Sequence, residues 1–218
     1  MKKTIILILT FMIFKPTYGQ ELDGKWILKE VGYKEFKKNP GIQILNFKNN
    51  KAHLFTELRL TKSELDLEVK NSTLILQNGE KYADLNLLNE NFLKLLVDGT
   101  FNDDKVIMEM DFVRLLPTQT DLSQEEIESL NFEFQEEGKS KTKIAFNQEL
   151  WDKNTLKELD WKEGSKMTIE KLDRTYFISI FNRGRKGVTL PISEVNERIL
   201  KFYCVPNESG EVIATRSK

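Results

Sequence analysis

Strict alternation of apolar and charged residues constrains this chain more than any other feature. In Glu64-Leu65-Asp66-Leu67-Glu68-Val69-Lys70 the leucines and the valine take every second position and charges fill the rest, and Val106-Ile107-Met108-Glu109-Met110-Asp111-Phe112 repeats the pattern. Successive side chains on a strand point to opposite faces, so such runs bury one face and wet the other, as in a half-solvated antiparallel sheet. Period two dominates from Gly24 to Pro117. Turn chemistry separates the runs. Asn78-Gly79, between residues 72–76 and 82–85, predicts a type I′ hairpin with positive φ at both central residues. Asn49-Asn50, between residues 44–47 and 52–55, is a weaker version of the same device. About eight strands on short loops form a meander that can close on itself and so remove its edges.

Ahead of the strands, Lys2 and Lys3 precede a nearly all-apolar stretch over residues 4–14, and Thr17-Tyr18-Gly19 places small residues before Gln20. This is the pattern of a secretory signal peptide over residues 1–19. The apolar run, roughly 11 residues, falls well short of the ~20 that span a bilayer as a helix. No second apolar stretch could anchor the chain, so the expectation is a soluble exported protein, periplasmic or extracellular, without an integral membrane anchor. Lys plus Arg number 33 against 34 Asp plus Glu, a net charge of -1, which lacks the basic excess of a nucleic-acid or anionic-membrane surface. The lone cysteine, Cys204, can form no internal disulfide, and its apolar setting over residues 199–205 reads as a small buried hydrophobe.

Leu22-Asp23-Gly24-Lys25-Trp26 opens the first strand run; it is followed by Ile44-Leu45-Asn46-Phe47-Lys48-Asn49-Asn50-Lys51, Ser72-Thr73-Leu74-Ile75-Leu76, residues 87–95 and Phe112-Val113-Arg114. In order and spacing these segments resemble small secreted bacterial lipocalin-like domains, over residues 20–117. The resemblance implies an antiparallel up-and-down β-barrel whose first-strand tryptophan closes the base, with a basic residue near the end of the last strand packed across its ring. Carried over, Trp26 and Arg114 form that closure, a cation–π contact worth about 0.5 to 2 kcal/mol. If both face inward, parity turns Leu28, Met108, Met110 and Phe112 inward too, and Leu65 and Leu67 share the apolar face of their own strand. These six are the lumen candidates for ligand binding. A lumen lined this way either packs solid or accepts an apolar ligand.

Pro117 ends this unit, and residues 118–130 read as a linker with a short helix. Ser123 with Glu126 forms a capping box, in which side chain and backbone satisfy each other's orphan donors, opening a helix that runs to Leu130. Residues 131–218 read as a second β-rich unit, with strand-like runs at 141–146, 167–169, 176–181 and 199–205, and a helix or loop over 150–159 near Trp151 and Trp161. Asn196-Glu197-Arg198-Ile199-Leu200-Lys201-Phe202 parallels Asn89-Glu90-Asn91-Phe92-Leu93-Lys94-Leu95, which favours a degenerate second lipocalin-like copy over an unrelated α+β extension. The absence of a Gly-x-Trp opening argues against closure of that copy.

Catalytic signatures are missing. With one histidine and one cysteine, and neither Gly-x-Ser-x-Gly nor His-Glu-x-x-His, the chain has no nucleophilic triad or zinc-hydrolase motif, so no catalysis, metal or cofactor is expected. His53 reads as a rim or surface residue rather than a haem or metal ligand, because metal sites need several converging ligands. Arg183-Gly184-Arg185-Lys186-Gly187 could hold an anion but reads by default as a solvated hairpin loop, and Asn102-Asp103-Asp104 as a turn rather than a calcium loop. Asn71-Ser72-Thr73 and Asn207-Glu208-Ser209 match the glycosylation pattern, which arises often by chance. The functional expectation is an exported lipocalin-like protein that binds a small apolar or amphipathic ligand without catalysis. The alternative is a protein-interaction or inhibitor module using a packed barrel as scaffold.

Overall fold

The computed structural model describes residues 21–33, 36–38, 41–58, 61–101, 104–135, 141–146, 165–182, 184–205 and 210–217. The leader over residues 1–19, the 150–159 segment with Trp151 and Trp161, Arg183, Asn102-Asp103 and Asn207-Glu208-Ser209 lie outside the described residues.

The alternating runs become strands β1 (Gly24–Tyr33), β2 (Phe36–Lys38), β3 (Ile42–Lys48), β4 (Lys51–Leu58), β5 (Thr61–Lys70), β6 (Thr73–Leu76), β7 (Lys81–Asn89), β8 (Phe92–Phe101) and β9 (Asp104–Arg114). All neighbours pair antiparallel, and β1 also pairs with β9, which closes an eight-strand up-and-down barrel. Strand β2 folds back on the far end of β1 and stands outside the ring. The inward positions form one packed core, including Trp26, Leu45, Leu54, Leu67, Leu93 and Phe112.

The hairpins form where the sequence places them, but the turn types exchange roles. Asn49 and Asn50 have φ of 53° and 60° and join Lys48 to Lys51 as a type I′ turn, and Asn71 and Ser72, at 48° and 58°, do the same between Lys70 and Thr73. At Asn78-Gly79 only the glycine is left-handed, with φ of 87°. Gly79 N–H donates to the Leu76 carbonyl at 2.9 Å and Leu76 N–H to that of Glu80 at 2.8 Å, a three-residue loop ending in a glycine bulge. The expected type I′ turn is therefore corrected. The register slips between Leu74 and Ile75, leaving one residue more than a two-residue turn accommodates.

The second half comprises helix α1 (Gln124–Glu128) and strands β10 (Asn131–Phe134), β11 (Thr142–Ala145), β12 (Lys166–Leu172), β13 (Thr175–Asn182), β14 (Arg185–Val195), β15 (Ile199–Phe202) and β16 (Val212–Arg216). They build a curled sheet in the order β11-β10-β16-β15-β14-β13-β12. Among the described residues β11 and β12 do not pair, so this sheet stays open. The capping box forms, with Glu126 N–H donating to Ser123 Oγ at 3.2 Å and Ser123 N–H to Glu126 Oε2 at 2.7 Å. The helix stops at Glu128 rather than reaching Leu130, buries Ile127 in the sheet's core, and is tied to β12 by Gln124 Nε2 donating to the Ile169 carbonyl at 3.0 Å.

The two sheets share a seam. Trp26, Ile27 and Leu28 are all buried, breaking the alternation, because both faces of β1 are covered here. Trp26 and Leu28 face the barrel core; Ile27, opposite Ile44 on β3 and Val113 on β9, packs outward against Phe177 of β13 and Cys204, just past β15. Ion pairs frame this contact: Lys25 with Asp173, and Lys186, whose Nζ lies 2.7 Å from Glu170 and 3.8 Å from Glu57 of β4. The polar segment after Leu116 is stitched into the second sheet. Thr118 donates its N–H to Arg174 at 3.0 Å and its hydroxyl to the Ile192 carbonyl at 2.7 Å, and Gln119 bridges Glu194 in parallel.

Candidate functional site

One end of the barrel is sealed. Trp26 lies opposite Arg114 in the β1–β9 register, with the guanidinium carbon 4.2 Å from the ring centroid. Arg114 donates from Nε to the Glu90 carbonyl at 2.6 Å, from Nη1 to that of Asp23 at 2.7 Å and from Nη2 to that of Glu21 at 2.6 Å. Trp26 Nε1 donates to the Leu22 carbonyl at 2.9 Å, and Leu22 itself is fully buried beneath the ring. Gly24 is dictated by this arrangement. Its φ is 126°, and a Cβ there would stand 3.0 Å from Arg114 Nη1.

The lumen candidates divide by depth. Leu28, Leu67, Met110 and Phe112 are buried in the packed core next to the sealed end, whereas Leu65 and Met108 are half-buried in the opposite half. Register carries the inner face upward in cross-strand rows: Leu45–Leu54–Leu65, then Gln43–Thr56–Ser63 on β3, β4 and β5, facing Val97–Met108 on β8 and β9. Val97 and Val31 are half-buried neighbours of the same core. The Met108 side chain lies over Gly99, where a Cβ would meet its Cε at 3.0 Å, so glycine makes room for the thioether. The wall is lowest at β6, because the β5–β6 register runs only from Leu67 to Lys70. Sequence reasoning missed Gln43, Thr56 and Val97. Their signal was inward parity with Leu45, Leu54 and Leu95.

The remaining chemistry-bearing residues lie elsewhere. His53 points outward from β4, its side chain 41% exposed, with Nδ1 2.8 Å from Asp66 and Nε2 3.7 Å from Glu64. It borders an open groove of about 600 Å³ lined by Asn46, Lys48, Lys51, Asp66 and Glu68 together with the core residues Ala52 and Leu67. Cys204 is buried in the seam, where burial pushes its thiol up to about 12, so it stays protonated and unreactive at neutral pH. The expected basic hairpin loop is corrected: Arg185-Lys186-Gly187 already belongs to β14, paired with β13, and Lys186 is engaged with Glu170 rather than free for an anion. Among the described residues no three His, Cys, Asp or Glu side chains converge as a metal site requires, and no helix is long and apolar enough to cross a membrane. No family model matches the chain, and no curated protein matches it.

Proposed function

We propose that this chain is an exported, non-catalytic lipocalin-like binding module whose barrel takes a small apolar or amphipathic molecule through the end opposite Trp26. The observation that carries the reading is the contrast between the two halves of the lumen. Near Trp26 the inward side chains pack to burial, while Leu65, next to the short strand β6, and Val97 and Met108 on the opposite wall remain half-buried. Apolar side chains held on a rigid sheet yet incompletely covered gain roughly 25 cal/mol per Å² when a ligand covers them. Export rests on the leader pattern of residues 1–19. Absence of catalysis rests on the lack of a nucleophile–base pair in the sequence and on a cysteine that stays protonated.

Native mass spectrometry and organic extraction of gently purified protein test the reading. A co-purifying small apolar molecule in one-to-one ratio is expected. Bare protein that also fails to take up an offered apolar dye would overturn it.

A further inference from the structure

We propose a second binding site, in the open groove over β3, β4 and β5, for a polyol that carries a phosphate monoester: a sugar phosphate or the phosphorylated polyol head of a lipid. The site is independent of the lumen and of what the lumen holds. Asn46, Lys48, Lys51, His53, Asp66 and Glu68 stand at the parity opposite to the core residues Leu45, Ala52 and Leu67, and so point outward. They line the groove of about 600 Å³, a size that takes a small molecule. Register sets them in two cross-strand rows, Asn46–His53–Asp66 and Lys48–Lys51–Glu68. One bank of the groove is therefore basic and the other acidic.

The basic bank breaks a rule of hairpins. Lys48 and Lys51 close the two-residue Asn49-Asn50 turn and stand directly opposite each other. Such a pair holds its Cβ atoms about 5 Å apart, and like charges placed this way destabilise the hairpin. Among the described residues neither ammonium group has a carboxylate in ion-pair range, whereas the neighbouring acids are engaged, Asp66 with His53 at 2.8 Å and Glu68 with Lys70 at 2.7 Å. The turn itself is fixed on both sides. Asn49 N–H donates to Asp23 Oδ1 at 3.2 Å, and the Asn50 carbonyl accepts from Val69 N–H at 2.8 Å. Two unpaired ammonium groups are thus held side by side on a rigid frame, and a doubly negative group between them turns their repulsion into two charge-assisted contacts. A local rule broken without a compensating contact in the fold marks a functional position.

The other bank specifies the rest of the ligand. Asp66 and Glu68, oriented by His53 and Lys70, repel a second anion but accept hydrogen bonds from hydroxyl groups. The side-chain amides of Asn46, Asn49 and Gln77, also on the groove's lining, both donate and accept. One compact dianion joined to several hydroxyls satisfies both banks, whereas a polyanion meets the carboxylates and an apolar chain strands them.

Backbone-amide NMR of the full mature chain, titrated at constant ionic strength with glucose 6-phosphate, inorganic phosphate and glucose, tests the site. Glucose 6-phosphate is expected to shift the amides of residues 46–53 and to bind tightest, with inorganic phosphate weaker and glucose leaving them unmoved. Lys48→Gln and Lys51→Gln are each expected to weaken glucose 6-phosphate about fivefold or more. Because each substitution relieves the like-charge pair, neither is expected to lower the urea midpoint without ligand, which also verifies that the variants fold. Cosedimentation with phosphatidylcholine vesicles carrying phosphatidylinositol 4-phosphate, reversed by glucose 6-phosphate, would assign the site to a lipid head. Glucose 6-phosphate binding without cosedimentation would assign it to a soluble ester. Unmoved amides over residues 46–53, binding of glucose as tight as that of its phosphate, binding unchanged in both variants, or a fall in their urea midpoints would overturn the proposal.

Discussion

Arg114 lies over the ring of Trp26 at 4.2 Å while its three nitrogens reach the carbonyls of Glu21, Asp23 and Glu90. One side chain thereby ties the end of β9, the entry to β1 and the β7–β8 turn into a single lid over the barrel's base.

Replacing Arg114 with alanine removes the cation–π contact and three charge-assisted hydrogen bonds to the carbonyls of the exposed residues Glu21, Asp23 and Glu90. We expect a loss of about 2 to 4 kcal/mol in urea unfolding. Gly24→Ala should cost about 1 to 3 kcal/mol, because alanine must adopt positive φ and its methyl group crowds Nη1. Losses below half a kcal/mol for both variants would show that the base is held by other contacts.

The seam makes the two sheets unfold together. Ile27 is 2% exposed and meets Phe177, so Ile27→Asp buries an unpaired charge between the sheets. The native chain is expected to give one cooperative thermal transition and Ile27→Asp two, with the lower one reporting the loosened half. Two transitions already present in the native chain would contradict this coupling.

Alkaline pH weakens the seam with a defined sign. The buried Cys204 thiol is raised from an ordinary value near 9 to about 12, so above pH 9 the unfolded chain has released a proton that the folded chain retains. Stability is full below pH 9 and falls as pH rises toward 12. Cys204→Ala is expected to flatten that part of the stability–pH curve, measured by urea unfolding, and the native thiol should resist a disulfide exchange reagent until the chain is denatured. Rapid native labelling at neutral pH would contradict its burial.

Legibility in the sequence follows the number of faces a strand buries. Where one face is wet, as in β5 and β9, period two is plain and the barrel can be read directly. Where both faces are covered, Trp26-Ile27-Leu28 looks merely apolar, and Ile44 and Val113 give no sign that they meet a second sheet. Thr118 and Gln119 look like a polar linker because their hydrogen bonds go to residues more than fifty positions away. The capping box at Ser123 was legible because it closes within four residues. Trp26 and Arg114 were reachable through resemblance, whereas Gln43 stands out only when its side-chain oxygen is seen to be buried without a hydrogen-bond partner.

The most direct measurement is titration of 1-aminoanthracene into the native chain, Met108→Trp and His53→Ala. Met108→Trp fills the upper lumen with a larger ring, and His53→Ala alters only the outer groove. One dye per chain is expected, with binding lost in Met108→Trp and unchanged in His53→Ala. Binding that survives Met108→Trp, or that disappears in His53→Ala, would place the ligand outside the barrel and contradict the account.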